Sequence, residues 1–210
     1  MAENDTLLAV GGGRLTVKGR ATRLRIVSAA AELMQARGVA RTTIEDIQEA
    51  AQVSASQLYH YFADKNALVL AVIDHESELV LGVHQQGLAE LDTFEALQTW
   101  RDMVVRIVRL ADCAGGCPLG ALASDLAETD PVARARLAAA FGQWELLLRA
   151  GIAAMAARGE LRADVPADDI ALAMLAGLEG GLLLSQLRRD SRPLEVALDT
   201  AIAYLRTMRR

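Results

Sequence analysis

The side chains best suited to chemistry stand together in residues 53–65, which read VSASQLYHYFADK. Neutral hydrogen-bonding groups follow one another there at short spacing: Ser54, Ser56, Gln57, Tyr59 and His60. The whole chain is acidic, with a net charge of −5, and only 4% of its residues are aromatic. So dense a group of hydrogen-bonding and aromatic side chains in such a chain indicates a place where the protein recognises a polar partner.

Catalytic patterns are missing from the rest of the sequence. It contains no Ser-His-Asp arrangement, no paired catalytic carboxylates, no phosphate-binding glycine loop and only three histidines. Two cysteines without a nearby histidine pair offer too few ligands for a metal ion. We therefore predict a protein that is not an enzyme and has no catalytic residue, no metal and no cofactor.

The residues before the hydrogen-bonding segment show helical periodicity. The helices that they predict would position this segment. Apolar residues at 26, 29, 30, 33 and 34 form one stripe of an amphipathic helix, and Gly38 suits its C-terminal end. Thr42 or Thr43 can cap a short second helix that stops near Ala51. After a tight turn, Ser54 can cap a third helix over residues 55–61.

Two short helices joined by a tight turn and braced by a preceding helix predict a helix-turn-helix motif. In this motif the second short helix enters the major groove of DNA with its N-terminal residues. Leu58 and Phe62 would face inward. The outward-facing residues would be Ala55, Ser56, Gln57, Tyr59 and His60.

Charge is distributed unevenly along the chain. The basic segment, residues 14–41, contains seven basic residues and one acidic residue, although the whole chain is acidic. Such asymmetry indicates a polyanion bound at one end of the protein. A solvated helix face that happens to be basic is the alternative, and charge alone leaves both open.

From Arg23 to Leu68 the sequence resembles the N-terminal domain of the tetracycline-repressor (TetR) family of bacterial transcriptional regulators. The run VSASQLYHYFADKNAL, from Val53 to Leu68, carries the strongest part of the resemblance. By this resemblance, bases would be faced by Ala55, Ser56, Gln57 and Tyr59, and phosphates would be reached by Thr42, Thr43, Ser54, His60, Tyr61 and Lys65. Gln57 can pair with adenine through two hydrogen bonds, worth about 1–3 kcal/mol of discrimination.

The remainder of the chain reads as long helices, which gives an all-α fold of about nine helices. We predict a flexible basic tail over residues 1–19, a helix-turn-helix domain over 20–66, and a larger helical domain for ligand binding and dimerisation over 67–210. The apolar run from Ile170 to Leu187 is interrupted by Glu179 and by glycines, which disfavours a membrane span. With no export signal, the protein is expected in the cytoplasm.

The resemblance also implies a small-molecule pocket and a homodimer formed by the last two helices. Candidate pocket residues are Trp100, Met103, Ile107, Leu110, Cys117, Leu122, Phe141, Trp144, Leu148 and Met174. A mostly apolar set implies a mostly apolar ligand, with Glu179 among the candidates for a polar contact. Candidate dimer-interface residues are Leu175, Gly177, Leu178, Gly181, Leu182, Ala201 and Leu205.

Cys117 stands directly before Pro118, at the predicted start of a helix, where the helix dipole stabilises a thiolate. The favoured hypothesis is a homodimeric repressor that a ligand releases from a palindromic DNA operator. Alternatives are an electrophile- or redox-sensing repressor that acts through Cys117, and a DNA-binding regulator without a small-molecule inducer. Activation rather than repression stays open at this stage.

Overall fold

The computed structural model describes residues 15–88 and 91–210. Within these ranges the chain forms nine α-helices and no β-strand, which confirms the predicted all-α class. In chain order the helices are α1 (Val17–Arg37), α2 (Ile44–Ala51), α3 (Ala55–Tyr61), α4 (Lys65–Leu88), α5 (Phe94–Leu110), α6 (Pro118–Leu126), α7 (Pro131–Ala157), α8 (Ala167–Arg188) and α9 (Arg192–Arg206).

Helix α1 begins earlier than the sequence predicts. Thr16 caps it, because its hydroxyl oxygen accepts a hydrogen bond from the N–H of Gly19 at 3.1 Å. Leu15, one residue earlier, is only 6% exposed. The predicted tail of residues 1–19 is therefore wrong at its C-terminal end, where the chain is already packed and helical. The rest of that tail, residues 1–14, lies outside the described residues.

Helices α1, α2 and α3 form the predicted helix-turn-helix motif. Gly38 caps the C-terminus of α1, and its φ of 85° lies in the left-handed region that favours glycine. Thr43 caps α2 and Ser54 caps α3, each in a capping box. In each box the cap hydroxyl accepts an N–H three residues on, from Asp46 or Gln57, whose side chain accepts the cap residue's own N–H.

The chain divides into two compact units, and the division differs from the predicted boundary at residue 66. The first unit runs to Ser77 and also includes Ala121–Leu137. The second unit comprises Glu78–Gly120 and Ala138–Arg210. Because α4 contributes buried residues such as Leu68 and Val72 ahead of Ser77, its first half belongs with the helix-turn-helix.

The second unit is built around one large apolar core supplied by α5, α7, α8 and α9. The bulkiest residues in this core are two tryptophans, Trp100 and Trp144, which are 0% and 1% exposed. These are the two tryptophans of the chain. Their burial makes tryptophan fluorescence a direct reporter of this core.

Helices α8 and α9 pack closely because α8 carries a glycine at the crossing. A Cβ atom on Gly181 would lie 2.8 Å from the Cα of Leu194, so a larger residue would force the helices apart. Ser185 is fully buried, and its hydroxyl accepts the N–H of Leu194 at 3.2 Å. That hydrogen bond satisfies one of the free N–H groups in the first turn of α9.

Among the described helices, α8 alone is long and apolar enough to cross a membrane by length and composition. Its residues Ile170, Met174, Leu178 and Gly181 are nevertheless buried within the chain. Because this face packs inside the protein, α8 is a core helix, as the interrupted apolar run predicts.

Candidate functional site

Helix α3 sorts its residues by face, as the sequence predicts. Leu58 is 0% exposed and Phe62, directly after the helix, is 2% exposed, so these two side chains face the interior of the first unit. Tyr59 is 48% exposed, and the remaining exposed residues of this surface are Ser54, Ala55, Ser56, Gln57 and His60. We call these six exposed residues the α3 surface.

Gln57 also has a structural role in the cap of α3. Its side-chain oxygen accepts the backbone N–H of Ser54 at 2.9 Å. A two-bond contact with adenine uses both the oxygen and the amide nitrogen of glutamine. The oxygen is therefore already engaged in the capping box, and only the amide N–H groups are free to donate to a base edge.

The two candidate phosphate-binding threonines differ completely. Thr43 is exposed, whereas Thr42 is 0% exposed and its hydroxyl donates to the carbonyl of Gly38 at 2.9 Å. Contact of Thr42 with phosphate stays a prediction, and its buried side chain fastens the turn that follows α1. Thr43 donates its hydroxyl hydrogen to Asp46 at 2.7 Å while it caps α2.

The family resemblance implies that Lys65 reaches phosphates. Its ammonium group instead donates to the carbonyl of Val39 at 2.8 Å, across the first unit. The backbone N–H of Val39 donates to the carboxylate of Asp125 on α6, also at 2.8 Å. Lys65 and Asp125 therefore hold Val39 from both sides, which fixes the turn between α1 and α2.

Parts of the basic segment are engaged inside the helix-turn-helix. The Nε of Arg25 donates to the carbonyl of Ala51 at 2.9 Å, at the end of α2. The guanidinium of Arg23 lies 5.2 Å from the centre of the Phe62 ring. These contacts stabilise the motif and keep positive charge beside it. Arg14 lies outside the described residues.

The candidate pocket residues fall into two groups. Six are buried or partly buried members of the second unit's core: Trp100, Met103, Phe141, Trp144, Leu148 and Met174. Cys117 packs against this core, and Leu122, 6% exposed, belongs to the first unit. Ile107 and Leu110 are 46% and 76% exposed, and their part in a ligand pocket stays a prediction. Both lie in the last turn of α5, beyond its buried face.

A buried histidine that the sequence did not assign to the pocket lies between the two tryptophans. The Nδ1 atom of His84 accepts the indole N–H of Trp100 at 3.1 Å. The ring centres of His84 and Trp144 are 4.1 Å apart. Burial lowers the pKa of His84 to about 4, so the imidazole is neutral at pH 7 with its proton on Nε2. The sequence could have indicated the burial of His84, because this residue stands at helical spacing from apolar residues of α4.

Cys117 has the opposite chemistry from that predicted by its place at a helix N-terminus. Burial, reinforced by the negative carboxyl of Glu179, raises the pKa of the Cys117 thiol to about 12. Its sulfur accepts the N–H of Gly120 at 3.4 Å, a contact too weak to offset the burial. This thiol stays protonated at pH 7 and is therefore a poor nucleophile.

The candidate dimer-interface residues mostly face the interior of their own chain. Leu175, Leu178, Gly181 and Leu205 are buried, because this side of α8 and α9 covers the core. Their part in a surface between chains stays a prediction, since they already cover the core of their own chain. Gly177, Leu182 and Ala201 are half-buried. The exposed apolar residues lie on the opposite side of the two helices: Leu172, Leu183, Leu184, Leu187, Val196 and Tyr204. We call these six residues the α8–α9 face.

Two domain families match this chain. Residues 26–72 match the family described as "Bacterial regulatory proteins, tetR family". Residues 94–201 match "Tetracyclin repressor-like, C-terminal domain", over more than half of the chain. The chain belongs to the TetR family of bacterial transcriptional regulators. The resemblance drawn from residues 23–68 is confirmed.

Relatives of this TetR-family chain are regulators too. An uncharacterized HTH-type transcriptional regulator of Mycobacterium tuberculosis (strain CDC 1551 / Oshkosh) is 27% identical, over 83% of this chain and 89% of that protein. The HTH-type transcriptional repressor DhaR of Mycobacterium sp. (strain GP1) is 24% identical, over 87% and 91%. A crystal structure of a TetR transcriptional regulator from Chloroflexus aurantiacus J-10-FL is 31% identical, with a TM-score of 0.81 over 93% of this chain and 99% of that one.

This TetR-family chain is therefore a DNA-binding transcriptional regulator, and its homologues are regulators rather than enzymes. The contacts of individual residues with DNA stay predictions, and the structure narrows them. The exposed candidates are Thr43, Ser54, Ala55, Ser56, Gln57, Tyr59 and His60. Tyr61 is half-buried with its ring edge against His60, at 4.9 Å between ring centres. Lys65 keeps only the donors that Val39 does not use.

Proposed function

We propose that this TetR-family regulator is a cytoplasmic homodimer that represses transcription by binding a palindromic operator, and that a small molecule bound in the second unit releases it. The observation that carries the proposal is the pairing of two exposed surfaces on one chain. The α3 surface has the polarity and shape to enter a major groove. The α8–α9 face has the apolar area to bind a second copy.

The α8–α9 face supports the dimer. Leu183 and Leu187 are 64% and 78% exposed on a single helix, and Tyr204 is 53% exposed on the next. Contiguous apolar patches of this kind mark interaction sites on soluble proteins. A two-fold dimer uses the same patch on both chains, so one face per chain is sufficient. The dimer would then present two α3 surfaces to successive turns of DNA.

Release by a ligand is supported by the course of α4. This helix begins at Lys65, which holds Val39 in the first unit, and it carries His84 in the core of the second unit. A ligand that displaces His84 from Trp100 would shift α4 along its length. The ligand acts as an inducer only if it binds the shifted conformation more tightly than the DNA-binding one.

A gel shift with the DNA that flanks the chain's own gene tests the proposal. We expect a specific shift that weakens steeply with salt, because phosphate contacts release counterions. Candidate apolar ligands should abolish the shift at concentrations that quench tryptophan fluorescence. Operator binding that no core-binding ligand affects would contradict release by a ligand, and it would leave a regulator without an inducer. In a reporter strain, repression predicts a ligand-dependent gain of transcription, whereas a ligand-dependent loss would indicate activation.

A further inference from the structure

Glu179 is an acid without a cation, at the edge of the second unit's core. It lies on α8, and its Oε1 atom is shielded from solvent with no hydrogen-bond partner among the described residues. None of the ion pairs found in the described part of the chain includes it. Its neighbour at the start of α6 is the side chain of Cys117, whose thiol is neutral at pH 7. A carboxyl in such surroundings carries a desolvation cost that a bound cation or strong donor would offset.

The start of α6 is shaped to fit this carboxyl. A Cβ atom on Gly120 would lie 2.7 Å from the Oε2 of Glu179, so glycine leaves the space that the acid occupies. Cys117 and Gly120 are both partly exposed, so the acid borders a surface that a ligand can reach. The first turn of α6 does not neutralise the carboxyl, because the N–H of Gly120 is directed at the sulfur of Cys117.

Aromatic rings and a second unpartnered polar atom belong to the core of the second unit. The indole N–H of Trp144 is buried without a hydrogen-bond partner in the described residues, although Trp144 is only 1% exposed. The rings of Phe141 and Trp144 are nearly parallel, with 6.4 Å between their centres. Aromatic faces attract cations as well as apolar groups. The ring faces therefore suit an aromatic or aliphatic skeleton and are compatible with a positive charge near them.

We propose that Glu179 is the recognition point for a protonated amine on an apolar effector, with Cys117 and Gly120 shaping its place. This inference rests on the proposed function, since it names the chemical class of the effector. The ligand would thus be mostly apolar, as the sequence implies, and would carry one positively charged amine. The amine pairs with the free Oε1 of Glu179 and supplies the ion pair that the chain itself lacks.

Three probes that share one apolar skeleton test the charge requirement: 4-phenylbutylamine, 4-phenylbutanol and 4-phenylbutyrate. Binding to the full-length protein is followed by quenching of Trp100 and Trp144 fluorescence, and release by the operator gel shift. We expect the amine to bind at least about tenfold more tightly than the alcohol, and the carboxylate to bind weakest. Amines with two to six methylene groups are tested in parallel, so that chain length does not decide the result.

Two variants separate recognition from folding. Glu179→Gln keeps the size of the side chain and removes its charge, so the amine should lose its advantage while the alcohol binds unchanged. Asp169→Asn removes an exposed acid from the same helix and should leave the preference intact. If no amine binds the wild-type protein, or if Glu179→Gln retains the preference, the proposal is overturned.

The same assays keep this inference apart from the proposed function. Operator binding without ligand is measured first for the wild-type protein and for both variants. Loss of all operator binding in the wild type would contradict the proposed function and leave the amine preference to be judged from fluorescence. Specific operator binding together with equal affinity for amine and alcohol would overturn only the role of Glu179.

Discussion

The N–H of Val39 donates to the carboxylate of Asp125 at 2.8 Å, so a residue of α6 holds the turn between α1 and α2. Asp125 also lies against Gly38, where its Oδ2 would be 3.1 Å from an added Cβ atom. The two residues are 86 positions apart in the chain. This chain thus connects the start of its DNA-binding motif to a helix outside that motif by a single charge-assisted hydrogen bond.

Asp125→Ala is expected to weaken this turn. Loss of a hydrogen bond to a charged acceptor costs about 1–3 kcal/mol, and the N–H of the buried Val39 would be left without its partner. Urea unfolding followed by circular dichroism measures the change in the free energy of unfolding. Glu128→Gln, an exposed acid just beyond the same helix, serves as the control. Equal stability of the two variants would show that the Asp125 contact contributes nothing.

Gln57→Glu separates the two roles of Gln57. Glutamate also completes a capping box with Ser54, so thermal stability should change by less than about 0.5 kcal/mol. A negative charge on the α3 surface would face DNA phosphates, so operator affinity should fall at least about tenfold at low salt. Thermal melting and gel shifts measure the two effects separately. Unchanged operator affinity would remove Gln57 from the DNA-binding surface.

The Cys117 thiol is expected to react slowly with electrophiles. Its pKa of about 12 leaves little thiolate at pH 7.5, so alkylation by iodoacetamide should be at least about tenfold slower than for an exposed thiol. The rate should still rise at pH 10. Glu179→Gln should accelerate it, because the carboxyl helps to raise the pKa of the thiol. Measurements in a Cys113→Ser background isolate this thiol. A rate that levels off below pH 8 would restore the electrophile-sensing hypothesis.

His84 should make stability depend on pH between about 6.5 and 4. Its pKa falls from 6.5 when unfolded to about 4 in the fold, so the unfolded chain binds an extra proton in this range. Stability is therefore lost as the pH decreases from 6.5 towards 4. His84→Gln can still accept the N–H of Trp100 and should show a smaller decrease in melting temperature between pH 7.5 and 5. The exposed His60→Gln should behave like the wild type; identical decreases in all three proteins would argue against the buried imidazole.

Local signals in the sequence were sufficient for the helix-turn-helix. The caps at Thr43 and Ser54 and the turn at Gly38 depend on residues within four positions, so their patterns can be read directly. The choice between Thr42 and Thr43 could not be read, because either can cap a helix. The structure shows that Thr43 is the cap, since Thr42 is buried inside the first unit.

Features set by distant contacts were predicted less well. The small residues of α8 suit an interface between chains and a close crossing within one chain equally, and the contact of Gly181 with Leu194 reveals the second. The helix N-terminus at Cys117 predicts a reactive thiol, but burial beside Glu179 has the larger effect on its pKa. Sequence spacing alone does not show which acid lies beside a thiol 62 positions earlier.

The stoichiometry of the operator complex tests the central claim most directly. Sedimentation velocity should show two chains on one palindromic operator, and the free protein should sediment as a dimer. Leu183→Glu combined with Leu187→Glu should give a monomer with at least about tenfold weaker operator binding, because each charge would be buried against the partner. Leu110→Glu, at a leucine 76% exposed on α5, should stay dimeric. A double variant that remains a dimer with full operator affinity would contradict the account.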